Sequence, residues 1–80
     1  MKAKIHITLK SGILDPQGKA IEHALATLGF KNASNVRMGK YLEVDLQETT
    51  QERAEAEVKA MCEKLLANTI IEEYRFELQG

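Results

Sequence analysis

Ala3, Ile5, Ile7 and Leu9 alternate with Lys4, His6, Thr8 and Lys10. A period of two suits a strand that keeps one face on an apolar core and the other in water. The far end of the chain repeats the pattern, with Tyr74, Phe76 and Leu78 set against Glu73, Arg75, Glu77 and Gln79. Half-buried strands need neighbouring strands and a cover for the apolar face. Only about sixty residues lie between the two runs, so those residues must supply both.

Ser11-Gly12-Ile13-Leu14 leads into Asp15-Pro16. There the aspartate can accept from orphan helix N–H groups, and the proline has no N–H to lose at the first helical position. Ala20, Ile21, Ala24, Leu25 and Leu28 follow at steps of three and four, and Gly29 supplies a left-handed stop with Phe30 behind it. The spacing predicts a helix over 16–28. Val36, Met38, Leu42, Val44 and Leu46 keep one parity around Gly39-Lys40, which predicts two strands joined by a tight turn. Thr49 with Glu52 has capping-box spacing and opens a second helix carrying Ala54, Val58, Met61, Cys62, Leu65 and Leu66, to about Ala67. Asn68-Thr69 closes it before the last strand.

The expected order is therefore β-α-β-β-α-β in one domain spanning 1–80. It implies an α+β fold, a two-layer ferredoxin-like sandwich with two helices on one face of an antiparallel sheet. The first strand then lies centrally, and Lys4, His6 and Lys10 face Glu43 and Asp45 on one side and Glu73 and Glu77 on the other. Charge sorting supports the pairing. Residues 1–40 hold seven Lys/Arg against two acids, and residues 41–80 hold four against ten, for a formal net charge of −1 overall.

Near-neutrality excludes a chain built mainly to grip nucleic acid, and the open sheet face lacks the aromatic display that RNA needs. A chain of 80 residues buries only roughly 60% of its unfolded surface, which favours self-association over a deep active site. With no long apolar run there is neither a signal peptide nor a membrane span, so the expected location is cytoplasmic. Single Cys62 has no disulfide partner and sits on the second helix's apolar stripe, where it reads as a core residue. His6 and His23 are too far apart in sequence to form a metal set, and the many glutamates lack a pocket that would split their pKa values. No catalytic, cofactor-binding or metal-binding residue is expected. The loops are more promising: Lys10, Arg37 and Lys40, with Asp15 and Gln17, offer charged and polar groups where a partner can dock.

The run Leu9-Lys10, Gly12, Leu14-Asp15-Pro16-Gln17-Gly18, Ala20-Ile21, Ala24-Leu25 and Leu28-Gly29-Phe30, then Val36-Arg37-x-Gly39-Lys40 and Cys62-Glu63-Lys64-Leu65-Leu66-Ala67-Asn68, resembles the PurS family over essentially the whole chain. Ser11 stands where that family often has proline, and Thr69 where Asn-Pro is common. PurS is the small subunit of phosphoribosylformylglycinamidine (FGAM) synthase. The resemblance implies a homodimer without catalytic residues, which bridges a large synthetase subunit that uses ATP and Mg²⁺ and a glutaminase subunit, and assists ammonia transfer. The pattern alone also admits a second class, a dimeric small-molecule-sensing domain holding its ligand near the first glycine-containing loop.

Overall fold

The computed structural model describes residues 1–47 and 50–80, so the Thr49 end of the expected capping box lies outside the described residues. The alternating N-terminal run is strand β1 (Lys2–Leu9). It pairs antiparallel with β2 (Gly39–Asp45) on one side and β3 (Glu72–Gln79) on the other, giving the order β2-β1-β3. Register places Ala3, Ile5 and Ile7 opposite Val44, Leu42 and Lys40 on β2, and opposite Leu78, Phe76 and Tyr74 on β3. That face carries the core. On the other face Lys4 stands between Glu43 and Glu77, and Lys2 Nζ lies 3.3 Å from Glu43 Oε1. The basic first half and acidic second half therefore meet across the sheet, as expected.

Among the described residues the sheet has three strands, because the expected hairpin is one strand. Gly39 and Lys40 open β2 instead of turning the chain. Glycine is needed at position 39 because a Cβ there would lie 2.5 Å from the Ile7 carbonyl oxygen and 2.8 Å from Thr8 Cγ2. Val36–Met38 cannot add a strand, because two of its N–H groups are engaged elsewhere. Val36 N–H donates to Glu22 Oε1 (3.2 Å) and Met38 N–H to Asp15 Oδ2 (2.8 Å). With those two donors taken by side chains, the segment cannot present the regular alternation of N–H and C=O that a ladder needs.

Helix α1 (Pro16–Thr27) starts at Asp15, as its sequence predicts, and ends at Gly29 with φ +100°. Phe30 N–H closes the terminus onto the Leu25 carbonyl at 2.9 Å. Helix α2 (Gln51–Met61) continues into a π-helical turn over Cys62–Leu66, in which Ala67 N–H reaches the Cys62 carbonyl at 3.0 Å. The wider turn rotates the stripe. Cys62 and Ala67 are buried, but Leu65, expected on the apolar face, is 82% exposed.

The core is α2 laid on β1. Ala54, Val58 and Cys62 are fully buried against Ala3, Ile5 and Ile7, flanked by half-buried Phe76, Leu42 and Leu66. Helix α1 does not complete the expected second cover. Gly18 is its one buried residue, while Ile21 is 39% and Leu28 73% exposed. The molecule measures 48 × 26 × 14 Å, with a Cα radius of gyration of 15.9 Å, against about 12 Å for a compact chain of this length. An eight-residue strand and a twelve-residue helix set end to end reach about 44 Å, so α1 continues beyond the end of the sheet instead of lying on it. Among the described residues, no helix is long and apolar enough to cross a membrane.

Candidate functional site

Two carboxylates hold α1 to the segment that enters β2, Glu22 through Val36 N–H and, more centrally, Asp15. Asp15 is 7% exposed, and its Oδ1 accepts from Gly18 N–H at 2.8 Å while Oδ2 accepts from Met38 N–H at 2.8 Å. Arg37 Nε lies 3.6 Å from Oδ2. The Arg37 guanidinium also donates to the carbonyls of Leu9 and Lys10 at the end of β1. One aspartate thus ties together the helix N-terminus, the segment before β2 and the loop after β1. Gly18 permits the crossing, because a Cβ there would run into the Val36 carbonyl oxygen and sit 2.8 Å from Asp15 Oδ2.

The N–H groups of Gly18 and Met38, and then the Arg37 charge, hold the Asp15 carboxyl below its ordinary 3.8. A depressed folded pKa contributes stability that is present above the unfolded value and is lost as pH falls through the folded value. Asp15→Asn should therefore be less stable than the parent at neutral pH and lose less of its stability on acidification. Melting curves at neutral pH and at about pH 3 measure the difference.

The five residues expected to meet a partner divide into two groups. Asp15 and Arg37 are built into the anchor, so Asp15 is not the reachable loop group expected of it; its carboxylate is occupied from within. Gln17 and Lys40 are exposed and line a cleft of about 390 Å³, together with Ile7, Leu9, Met38 and Glu72. Lys40 Nζ is 3.7 Å from Glu72 Oε2 at its edge. Lys10 is half-buried beside this end; its N–H donates to the Ile71 carbonyl at 2.8 Å and its own carbonyl accepts from Ile13 N–H at 3.0 Å. Sequence reasoning missed Glu22, whose carboxylate holds Val36. The signal was present: positions 15, 18 and 22 fall on one helix face and aim two carboxylates at one passing segment.

Apolar surface surrounds the cleft. Ile13, Leu14 and Met38 are exposed at this end, Ile70 and Ile71 lie in the turn that receives Lys10, and the α1 stripe extends away from it. Cys62 is far from nucleophilic. Burial, and then the charge of Glu63, pushes its thiol pKa up, the reverse of what an attacking thiolate requires. Among the described residues no three His, Cys, Asp or Glu side chains gather as metal ligands.

A family model described as PurS, phosphoribosylformylglycinamidine (FGAM) synthase, matches residues 2–80. The chain belongs to the PurS family. It is 45% identical over 78 residues to the phosphoribosylformylglycinamidine synthase subunit PurS of Bacillus subtilis, covering 98% of this chain and 92% of that one. A solved structure of B. subtilis PurS superposes with a TM-score of 0.85 at 46% identity, covering 99% of this chain and 98% of that one. A chain in the structure of PurLQS from Thermotoga maritima gives a TM-score of 0.87 at 32% identity, covering 95% and 93%. The α+β architecture is thus that of the family's solved structures, including the antiparallel sheet.

Proposed function

We propose that this chain is the non-catalytic small subunit of FGAM synthase, the glutamine-dependent ligase of the fourth step of purine synthesis. The reaction joins formylglycinamide ribonucleotide, glutamine, ATP and water to give FGAM, glutamate, ADP and phosphate. In this reading ATP activates the amide oxygen on the large synthetase subunit, ammonia leaves glutamine on the glutaminase subunit, and this chain keeps the two sites in register. It binds no ATP or Mg²⁺ itself. The observation that carries the reading is whole-length likeness to PurS relatives, together with likeness to a chain of an assembly named for three components.

The shape supports a bridging role better than a catalytic one. A body 48 Å long with apolar side chains exposed around the cleft and along α1 offers partners two separate surfaces. The α1 stripe suits a second copy, since an isologous pair of identical stripes buries both at once. The cleft end, with Lys10, Gln17 and Lys40 around exposed Met38 and Leu14, suits a large subunit. Charge reversal tests the assignment. Lys40→Glu combined with Lys10→Glu should weaken co-purification with the synthetase and glutaminase by about tenfold, more at low salt than high, while leaving self-association unchanged. Full recovery of the three-component complex with the double variant would remove this surface from the docking site; failure of the parent chain to co-purify would remove the reading.

A further inference from the structure

The sheet face away from α2 carries a second cleft, of about 380 Å³, whose lining includes Thr8 and Gly39. Register sets His6 between Tyr41 and Arg75 in one row, and Thr8 between Gly39 and Glu73 in the next. Because Gly39 has no side chain, the second row has a gap, and the depression opens there. One wall is fixed in place. The rings of His6 and Tyr41 lie 4.9 Å apart at 46°, the Tyr41 hydroxyl donates to Glu43 Oε2 at 2.8 Å, and Glu43 accepts from Lys2 at 3.3 Å. The other wall carries Glu73 and Arg75, two residues apart on β3 and hence on one face about 6.6 Å along the strand. Among the described residues neither side chain has a hydrogen bond or an ion pair.

We propose that this cleft binds a free α-amino acid with a planar side-chain group. The guanidinium fork of Arg75 takes the α-carboxylate, Glu73 takes the α-ammonium, and the planar group lies on the Tyr41–His6 wall. Charge selects this class over others. A phosphate on Arg75 would face Glu73, while Lys40 at the rim is already 3.7 Å from Glu72. Across the whole face Lys2, Lys4 and Arg75 stand against Glu43, Asp45, Glu73 and Glu77, which gives a nucleic acid strand no net attraction, and an apolar ligand would desolvate Glu73 and Arg75 without pairing either.

Titrating the ¹⁵N-labelled chain tests the site, with L-phenylalanine and L-glutamine as probes and phenethylamine and 3-phenylpropionate as analogues lacking the carboxylate or the ammonium. At least one amino acid should give saturable shifts at the amides of His6, Thr8, Tyr41 and Arg75. Each analogue should bind about tenfold more weakly or worse, the loss expected for one charge-assisted contact. Arg75→Gln and Glu73→Gln should each cause a similar loss while melting like the parent. No saturable shift from either amino acid at tens of millimolar, or equal shifts from the truncated analogues on the unmodified chain, would overturn the proposal.

Discussion

Gly18→Ala should lower the stability of the chain by about 2–4 kcal/mol and its melting temperature by roughly 10–25 °C. The cause is steric. A methyl group at position 18 points into the Val36 carbonyl oxygen and the Asp15 carboxylate. The carboxylate is fixed by the N–H groups of Gly18 and Met38, and Val36 is tethered through its own N–H to Glu22, so neither swings aside freely. Overpacking alone costs about 1–3 kcal/mol, and displacing Asp15 from the helix cap adds about 1 kcal/mol more. Gly29→Ala is the matched control. Its φ of +100° makes alanine strained, yet nothing lies within 4 Å of the added carbon, so the loss should stay near about 1–2 kcal/mol. Thermal melts of the two variants separate collision from backbone strain, and equal losses would remove the collision at Gly18 from the explanation.

Ile21→Glu and Leu28→Glu should each weaken self-association by roughly a hundredfold or more while leaving the monomer folded. Both side chains are exposed, Ile21 on α1 and Leu28 at its C-cap, and neither belongs to the core of its own chain. In a symmetric pair they would be buried, and an unpaired carboxylate there costs at least about 3 kcal/mol, which is roughly 150-fold in a dissociation constant. Sedimentation equilibrium with far-ultraviolet circular dichroism reads both quantities. Variants that pair as tightly as the parent would move the dimer contact off α1.

The elements legible in the sequence were those whose pattern reflects burial directly. β1 and β3 alternate because one face of each meets α2, and that alternation survives any change of neighbour. The Asp15-Pro16 start and the Gly29 stop of α1 were equally plain, since both depend on local backbone chemistry. The hairpin misled because Gly39 is as good a signal for close approach of two backbones as for a turn. Only the position of Ile7 and Thr8 beneath it distinguishes the two. Unbroken parity from Val36 to Leu46 fits a single extended path equally well. The cover on the sheet misled for another reason. An amphipathic helix shows that its stripe is buried, but not whether its own chain or another buries it. At the docking end, Lys10, Gln17 and Lys40 could be read as charge and polarity in loops, whereas the burial of Asp15 depended on Gly18 and Met38 N–H converging on it, with Arg37 engaged at the surface by that carboxylate and by the end of β1.

The decisive measurement is the amidation rate of the purified synthetase and glutaminase, with and without this chain, fed first with glutamine and then with ammonium ions. Ammonia released at one site must reach the other without escaping or being protonated, so a subunit that holds the sites in register matters for glutamine and hardly at all for ammonia already in solution. Omitting the chain should reduce the glutamine-fed rate by at least about tenfold and leave the ammonium-fed rate within about threefold, the pattern of lost positioning with intact chemistry. A glutamine-fed rate unchanged without the chain would contradict the assembly role.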